Sequence, residues 1–325
     1  RQLGIGIGSY VEVTAIANSE WGSVTIEDNG TFVVRVGTSG TGQGHETAFA
    51  QIVAAHFKIP LTKVRLVQSD SKEIPRADGT GGSRSLQVGG SVVLGASEGL
   101  LEKSRQIVAH LKEANIEDIV VFEGGKIGIV GVPDSAMSWA ELASAVISPT
   151  VDLPEGLGDL SYEDSFEQPD PSFPFGTHIS VVEVDIESGE VKVLRHIAVD
   201  DCGRIFNRLL VDGQVHGGVA QGMGQVLTEH FRYDEDANPL SGNLLSYLIP
   251  TAPMLPSFEV DHTQTPTPLN PLGAKGIGES GTIGSGAALH NAVIDAVAHL
   301  GVNHIDMPTT PGAVWQAIKE ATTAS

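Results

Sequence analysis

Hydrophobic and polar positions alternate in the first part of the chain and then change to helical spacing. Residues 5–13 and 23–36 follow the two-residue period of strands, and the second run contains the turn sequence Asp28-Asn29-Gly30. Apolar residues then recur at helix-face spacing over 45–57 and over 85–114. The pattern therefore predicts a hairpin that is followed by packed helices.

Turn and capping signals delimit shorter elements between and after these helices. A short apolar run predicts a strand over 64–67, and Gly124-Gly125 marks the turn of a hairpin over 119–130. Ser138-Trp139-Ala140-Glu141 matches a capping box, which predicts a helix that continues through Ile147.

The same order of elements recurs in the second half. The patterns predict a hairpin, a helix, a strand and two further helices, over 177–199, 210–227, 258–262, 285–300 and 311–321. Thr310 is the expected N-cap of the last helix, with Pro311 at its first position. Each half also has a glutamine and a histidine near the start of a helix. The pairs are Gln43 with His45 and Gln214 with His216. The recurrence predicts an internal duplication.

A proline-rich, acidic segment separates the two halves. Residues 149–174 show little periodicity, which predicts a boundary between subdomains of residues 1–150 and 151–325. Strands and helices occur in grouped order, and this order favours an α+β fold with mixed β-sheets and packed helices over a doubly wound α/β fold.

Composition excludes several classes of function. The chain has 325 residues, with 19 Lys and Arg against 40 Asp and Glu, a formal net charge of −21. Such acidity argues against a nucleic-acid or anionic-membrane surface. No run of 18 or more apolar residues predicts a membrane span, and no signal-peptide pattern opens the chain, so a cytoplasmic protein is expected. The start without Met suggests a fragment or a processed piece.

The residues that commonly bind metals are sparse. Cys202 is the one cysteine of the sequence, which excludes a disulfide framework, an iron–sulfur cluster and a zinc site of several thiolates. His45-Glu46 lacks the second histidine of a zinc-protease helix, and Pro239 stands where a calcium loop needs glycine. The sequence therefore predicts no metal ligand from the protein.

Glycine is the outlying residue type, with 39 in the chain. The glycines concentrate in four segments that we expect to be loops, 37–44, 79–90, 213–224 and 273–286. One interpretation is tight turns and close helix packing. The other is close approach of backbone N–H groups to a ligand, since no Cβ intervenes. Four such segments favour a large ligand around which the chain wraps.

Four sequence segments together resemble one family, the molybdenum hydroxylases, which include xanthine dehydrogenases, aldehyde oxidases and aerobic carbon monoxide dehydrogenases. The segments are Gly42-Gln43-Gly44-His45-Glu46-Thr47, Gly79-Thr80-Gly81-Gly82-Ser83-Arg84-Ser85, Asp200-Asp201-Cys202-Gly203 with Asn207 and Gly213-Gln214-Val215-His216-Gly217, and Gly273-Ala274-Lys275-Gly276-Ile277-Gly278-Glu279-Ser280. The resemblance extends over essentially the whole chain. It corresponds to the C-terminal, molybdopterin-binding part of the family's large subunit.

The resemblance implies an oxidoreductase with a molybdenum–molybdopterin cofactor, in bacterial members usually the cytosine dinucleotide form. The implied reaction hydroxylates an aldehyde or an N-heterocycle, takes oxygen from water and passes electrons to iron–sulfur clusters. Two alternatives stay open: the large subunit of an aerobic carbon monoxide dehydrogenase, and a non-catalytic scaffold subunit of the same fold. Residues 1–150 and 151–325 would be the first and second molybdopterin-binding subdomains.

The resemblance also assigns roles to individual residues. Glu279 is the implied catalytic base, and Gly81 and Gly82 would line the substrate side. The implied cofactor contacts are Gly42, Gln43, Gly44, His45, Glu46, Thr47, Arg84, Ser85, Cys202, Asn207, Gln214, Lys275, Gly276, Ile277 and Gly278. The pterin dithiolene would hold the molybdenum.

General chemistry agrees with these roles. Glutamine amides complement a pterin edge, which alternates donors and acceptors. Glycine loops and helix starts suit a pyrophosphate, with Arg84, Lys275 or Arg204 as cationic support.

Partners follow from the same resemblance. The chain would have no iron–sulfur cluster or flavin of its own. It would need the N-terminal part of the large subunit, an iron–sulfur small subunit and an FAD-binding medium subunit, and the heterotrimer would associate further with copies of itself. The isolated chain is therefore expected to be inactive.

Overall fold

The computed structural model describes residues 1–16 and 19–323. The chain forms two compact units. Unit 1 consists of Arg1–Thr14, Ser172–Pro266 and Lys275–Ser325, and unit 2 consists of Ala15–Pro171 and Thr267–Ala274.

The strands and helices are numbered in chain order. The strands are β1 Gln2–Val11, β2 Ser19–Ile26, β3 Phe32–Val36, β4 Val64–Val67, β5 Ile119–Phe122, β6 Lys126–Ile129, β7 Met137–Ser138, β8 Ser161–Glu167, β9 Phe175–Val184, β10 Val191–Asp201 and β11 Phe258–Thr263. The α-helices are α1 His45–Phe57, α2 Ser91–Lys112, α3 Trp139–Val146, α4 Arg208–Leu227, α5 Ser280–Ala298 and α6 Pro311–Thr323. A π-helical segment, Ser85–Gly90, leads directly into α2.

Unit 1 is built on a mixed sheet with the strand order β1-β9-β10-β11. β9 pairs antiparallel with both β1 and β10, whereas β10 and β11 are parallel. The core lies between this sheet and the helices α4, α5 and α6. Both the sheet and the helices contribute buried apolar side chains. These include Val182, Val184, Ala198, Val215, Val219, Met223, Leu289, Val293 and Val314.

β1 and α5 are in direct backbone contact because the buried face of β1 begins with glycines. Gly4, Gly6 and Gly8 are buried, and a Cβ atom on Gly6 would lie 2.2 Å from the carbonyl oxygen of Ala288 and 2.2 Å from the amide nitrogen of Ala292. No larger side chain fits there without displacing the helix. The alternating residues Leu3, Ile5 and Ile7 are exposed on the opposite face.

Unit 2 repeats this architecture with different residues. Its larger sheet has the order β4-β3-β2-β8, with β3 parallel to β4 and the other pairs antiparallel. A smaller antiparallel sheet contains β5, β6 and β7. Phe32, Phe57 and Trp139 form an aromatic cluster, with ring centroids 4.6–5.4 Å apart.

The two larger sheets share one chain order. In each, an antiparallel hairpin leads into a helix, a strand parallel to the second hairpin strand and a further long helix. The elements are β2, β3, α1, β4 and α2 in unit 2, and β9, β10, α4, β11 and α5 in unit 1. The predicted duplication is confirmed at the level of topology, as is the α+β class with mixed sheets.

The two units differ from the predicted subdomains, residues 1–150 and 151–325, in where two segments belong. Residues 1–14 belong with the second half because β1 pairs with β9, and residues 151–171 belong with the first half because β8 pairs with β2. The segment 149–174, which shows little periodicity and was predicted to contain the boundary, contains β8. Strand pairing between distant parts of the chain leaves no local signal, so periodicity could not reveal where the two segments belong.

Most predicted helices and strands lie where expected, but three of the four glycine-rich segments are partly or wholly helical rather than loops. Residues 85–90 are π-helical. Residues 213–224 lie inside α4, and α5 begins at Ser280 rather than near residue 285, so that 280–286 are helical. Here the glycines allow close helix packing: a Cβ on Gly218 would lie 2.9 Å from Cα of Gly281. Within residues 1–16 and 19–323, no helix is both long enough and apolar enough to span a membrane.

Candidate functional site

An open pocket of about 490 Å³ lies within unit 2 at the start of α1. All six residues of the segment 42–47 line it, together with neighbouring residues of β4 and the loops. The lining residues are Gly40, Gly42, Gln43, Gly44, His45, Glu46, Thr47, Leu66, Gln68 and Ser69. None of these described residues is a lysine or an arginine, and Glu46 is the one acidic residue among them, so the pocket offers backbone and side-chain hydrogen-bonding groups but no cationic side chain.

The first turn of α1 presents backbone donors to this pocket. Gly44 is the N-cap at φ 84° and carries no side chain, so the structure shows no side-chain cap. The first helical hydrogen bond is donated by the N–H of Ala48 to Gly44, which leaves the N–H groups of residues 45–47 without an intrahelical acceptor. A helix start of this kind favours anionic or acceptor groups.

The amide of Gln43 shapes its own loop. Its Oε1 accepts a 2.5 Å hydrogen bond from the backbone N–H of Thr41, and its Nε2 donates to the carbonyl oxygen of Ser39 at 3.0 Å. A glutamine amide has two N–H donors. One N–H of Gln43 therefore remains available to a group in the pocket.

The two glycine-rich loops of unit 2 meet through a hydroxyl group. Thr80 Oγ1 accepts from the backbone N–H of Ser39 at 3.0 Å and lies 2.9 Å from Ser85 Oγ. Gly81 and Gly82, which we expect on the substrate side, lie exposed between Thr80 and Ser85. The structure thus brings the segments 39–47 and 79–85 together.

Arg84 is buried inside unit 2. Its side chain is 2% exposed and forms a 2.8 Å ion pair with Glu20, and it also donates to the backbone oxygens of Gly79 and Ser19. Burial raises the pKa of Glu20 despite the attraction of the guanidinium. The charge of Arg84 is therefore matched within the protein, and its contact with the cofactor stays a prediction.

His45 and Gln68 form a second polar contact at the pocket. The His45 Nδ1 lies 3.2 Å from Gln68 Nε2, which also donates to Thr38 Oγ1 at 2.6 Å. Burial lowers the pKa of His45, so the ring is neutral at neutral pH. Sequence reasoning missed Gln68, whose position after β4 carries no motif.

The predicted residues of unit 1 include a second buried ion pair. Lys275 Nζ lies 3.1 Å from Asp201 Oδ1, and its backbone N–H donates to Cys202 at 2.7 Å. Burial alone would raise the pKa of Asp201, but hydrogen bonds from Gly203, from two threonines and from Lys275 lower it overall. Burial raises the pKa of the Cys202 thiol to about 12, so the thiol is protonated. These contacts join the segments 201–203 and 275–278.

Further predicted residues of unit 1 lie in the first half of α4, at its N-cap and in the segment that precedes α5. Asn207 caps α4, with its Oδ1 accepting from the Leu210 N–H at 3.3 Å. Gln214 is half-buried in the second turn of α4, where the described residues offer its side chain no hydrogen bond. Gly276 is buried, Ile277 packs against the core, and Gly278 is exposed.

Glu279 occupies the N-cap position of α5. Its carboxylate is exposed and does not cap the helix, although the helix start favours negative charge there. The carboxyl group of Glu12 lies beside it. Burial, followed by contact with Glu279, raises the pKa of Glu12 to about 8. Sequence reasoning missed Glu12, which lies 267 positions earlier in the chain.

A buried chain of hydrogen bonds begins at Tyr10, two residues before Glu12. Tyr10 donates to Asp200 at 2.7 Å, and His178 Nε2 lies 3.1 Å from the same carboxylate oxygen. His178 Nδ1 contacts His196 Nε2 at 3.2 Å, and His196 Nδ1 contacts Ser180 Oγ at 2.8 Å. Burial, with His178, lowers the pKa of His196 to about 4. The sequence predicted no role for these residues.

The predicted site residues thus form two groups, one in each unit. Unit 2 holds residues 42–47, 81, 82, 84 and 85, and unit 1 holds 202, 207, 214 and 275–279. In the part of the chain that the structure describes, no cluster of three or more His, Cys, Asp or Glu residues could hold a metal ion.

Comparison with known proteins identifies the family. The sequence model of the molybdopterin cofactor-binding domain matches residues 1–256. This chain belongs to the molybdopterin cofactor-binding domain family. It is a member of the molybdenum hydroxylases.

Relatives of this molybdopterin cofactor-binding chain include several named enzymes. It is 36% identical to the carbon monoxide dehydrogenase large chain of Hydrogenophaga pseudoflava, over 98% of this chain and 41% of the relative. It is 33% identical to the nicotine 6-hydroxylase large subunit of Paenarthrobacter nicotinovorans, over 98% and 41%. The crystal structure of quinoline 2-oxidoreductase from Pseudomonas putida 86 matches with a TM-score of 0.87 at 33% identity, over 98% and 42%. The chain therefore spans about two fifths of these proteins.

The residues of this chain fit part of a molybdopterin group. The pocket at α1 combines uncapped backbone N–H groups with the spare N–H of Gln43. Open space at Gly42, where a Cβ would meet no atom within 4 Å, leaves the backbone accessible. These donors suit acceptor atoms of a pterin or a phosphate.

Proposed function

We propose that this chain is the cofactor-binding, catalytic part of a molybdenum hydroxylase large subunit that hydroxylates an aldehyde or an N-heterocycle. The observation that carries the proposal is Glu279, an exposed carboxylate at the start of α5 that does not cap its helix. A carboxylate kept at a helix start without a capping role is suited to proton transfer.

The cofactor is held by backbone and amide groups. The N–H groups of residues 42–47 and the spare N–H of Gln43 donate to it in unit 2, and Gln214, Cys202, Asn207 and the backbone of 275–278 contact it in unit 1. Arg84 and Lys275 act by fixing these loops, because both charges are already paired. The cytosine dinucleotide form is part of the proposal. When bound, the molybdenum centre accepts two electrons from the substrate carbon.

Glu279 is the general base. Its carboxylate accepts the proton that is released as oxygen from water is added to the substrate. A positioned general base contributes about 10² to 10⁴ in rate. Gly81 and Gly82 lie exposed and without side chains, which leaves room for a substrate on their side of the loop.

The names of relatives support the substrate class. Nicotine and quinoline, named in two of them, are N-heterocycles. A second candidate is carbon monoxide, since a carbon monoxide dehydrogenase large chain is 36% identical to this chain. A scaffold role without catalysis is disfavoured, because a scaffold has no use for an exposed carboxylate at position 279 that does not cap its helix.

The remaining partners are part of the same proposal. Leu3, Ile5, Ile7 and Val11 form an exposed apolar row on the outer face of β1, which supports coverage by the N-terminal part of the large subunit. Electrons then leave through an iron–sulfur small subunit to an FAD-binding medium subunit, in a complex that associates further with copies of itself. A cytoplasmic location stays a prediction.

Substitution of Glu279 in the complete enzyme tests the proposal. Glu279→Gln retains the shape of the side chain but accepts no proton, so turnover of an N-heterocycle should fall at least about a hundredfold. Molybdenum content, cytidine monophosphate released by acid and melting temperature should stay at wild-type levels. Glu190→Gln, at an exposed hairpin position, is the matched control. Full activity of Glu279→Gln, or absence of molybdenum from the wild-type complex, would contradict the proposal.

A further inference from the structure

The buried face of β1 continues beyond its glycines to two polar residues. Gly4, Gly6 and Gly8 are followed at the same two-residue spacing by Tyr10 and by Glu12, the residue after the strand end. Alternate residues of a strand share one face. Tyr10 and Glu12 therefore extend the row that lies against α5.

The register of β1 along α5 predicts which residues meet. Successive glycines of β1 contact α5 at positions four residues apart: Gly4 near Ala292 and Ala296, Gly6 near Ala288 and Ala292, and Gly8 near Gly284 and Ala288. Two residues of a strand span about 6.6 Å, and four residues of a helix span about 6.0 Å. The glycine positions of β1 and every fourth residue of α5 therefore stay side by side along both elements. The same step places Tyr10 near Ser280 and Gly284, and Glu12 at the helix start.

Contacts agree with this register. Ser280 lies close enough to Tyr10 to affect its hydroxyl group, although Ser280 Oγ forms no hydrogen bond, and the carboxyl group of Glu279 interacts with that of Glu12. The backbone holds Glu12 in place, because its N–H donates to the carbonyl oxygen of Pro174 at 3.0 Å. Tyr10 is held by its hydrogen bond to Asp200.

One oxygen of the Glu12 carboxyl group lacks a donor among the described residues. This atom, Oε2, is buried and accepts no hydrogen bond. The titratable groups on the elements of unit 1 around it are Glu279 at the N-cap of α5, Tyr10 on β1, Asp200 on β10 and His178 on β9. Lys275 is paired with Asp201. A carboxylate that has a buried oxygen without a donor and a second carboxylate beside it is costly, and one proton between the two groups relieves both effects.

We propose that Glu12 and Glu279 form a carboxyl pair that holds one proton, with Glu12 as the protonated member that donates a hydrogen bond to the Glu279 carboxylate. Glu12 is then a positioning residue for the base, because its hydrogen bond orients the Glu279 carboxylate. The inference deepens the proposed function and rests on it for the role of Glu279.

The surroundings of Glu12 assign the proton to it. Glu12 is half-buried, and burial followed by contact with Glu279 raises its pKa to about 8, so its carboxyl group is protonated at neutral pH. Above pH 8, Glu12 loses its proton and the donor to Glu279 disappears. Because the two carboxyl groups lie side by side, both residues must be varied to assign the proton.

Infrared difference spectra of the complete enzyme test protonation independently of turnover. A carboxylic acid band should be present at pH 6.5 and disappear with a midpoint near pH 8 in the wild type. Glu12→Gln should lack this band. Glu279→Gln should retain it with a lower midpoint, because the neighbouring negative charge is gone while the burial remains. Glu190→Gln, which removes an exposed carboxylate, should match the wild type.

The pH profile of turnover separates positioning from folding. Glu12→Gln retains a donor that does not titrate. Its turnover at pH 7 should therefore stay within about threefold of the wild type, and its pH profile of turnover should lack the inflection near pH 8. Glu12→Ala removes the donor and should lower turnover at least about tenfold, with unchanged molybdenum content and melting temperature.

The outcomes distinguish this inference from the proposed function. An identical carboxylic acid band in the wild type and in Glu12→Gln would overturn the carboxyl pair and leave the base role of Glu279 intact. If the infrared bands are as expected but Glu279→Gln retains full turnover, the base role of Glu279 is rejected and the carboxyl pair is supported. Equal turnover of Glu12→Ala and the wild type would reject Glu12 as a positioning residue.

Discussion

The hydroxyl group of Tyr10 donates a 2.7 Å hydrogen bond to Oδ1 of Asp200, across 190 positions of the sequence. The bond joins the end of β1 to β10 and satisfies part of a carboxylate that is fully buried. His178 approaches the same oxygen atom, so the buried charge has two partners. Because Tyr10 precedes Glu12 by two residues, this bond also fixes the strand end that places Glu12 beside Glu279.

Tyr10→Phe should destabilise the protein by about 1–3 kcal/mol, because it leaves the buried Asp200 with one donor fewer. Burial, with Asp200, raises the pKa of Tyr10 far above its usual value, so the hydroxyl is a donor throughout the accessible pH range. Urea unfolding measures the change. Ser9→Ala, which removes an exposed hydroxyl contact on the same strand, should change stability by less than about 0.5 kcal/mol.

Gly6→Ala should destabilise the protein by about 3 kcal/mol or more, because the new Cβ would overlap the backbone of α5. Gly213→Ala is the matched control: it lies in α4 with no atom within 4 Å of a Cβ. Alanine there should add up to about 1 kcal/mol of stability through its helix propensity. Equal effects of the two variants in thermal unfolding would contradict the close contact between β1 and α5.

Arg84→Met should cost about 3–5 kcal/mol of stability, because it leaves Glu20 buried without its cation. The double variant Glu20→Gln with Arg84→Met should recover most of this loss. Arg65→Met, which breaks an exposed ion pair with Glu27, should cost less than about 1 kcal/mol. A stable Arg84→Met enzyme that lacks molybdenum would instead support a direct cofactor contact.

Stability should fall as the pH drops from 6.5 towards about 4, in part because of His196. Its pKa is lowered to about 4 in the folded protein by burial and by His178, against 6.5 ordinarily. The unfolded chain therefore binds a proton that the folded chain excludes, and the associated stability is present above pH 6.5 and lost below it. His196→Gln should flatten this slope in denaturant titrations, and an unchanged slope would contradict the role of His196.

The sequence alone determined the element types of this protein and the order in which they repeat. α1 and β4 begin and end where periodicity predicted, and the capping box at Ser138 and Glu141 is present in the structure. Periodicity and capping depend on hydrogen bonds between residues a few positions apart, so the local sequence contains the information. The family could likewise be identified from motif residues that are close together in the chain.

Only the tertiary structure decided what these residues contact. Arg84 has the sequence surroundings of a phosphate-binding residue, yet its guanidinium lies buried against Glu20. Glu12 has no motif around it, yet the packing of β1 along α5 brings it to Glu279. In both cases the partner lies many residues away, and its position depends on strand register and on how closely glycines let two backbones approach. Neither quantity leaves a periodic signal in the sequence.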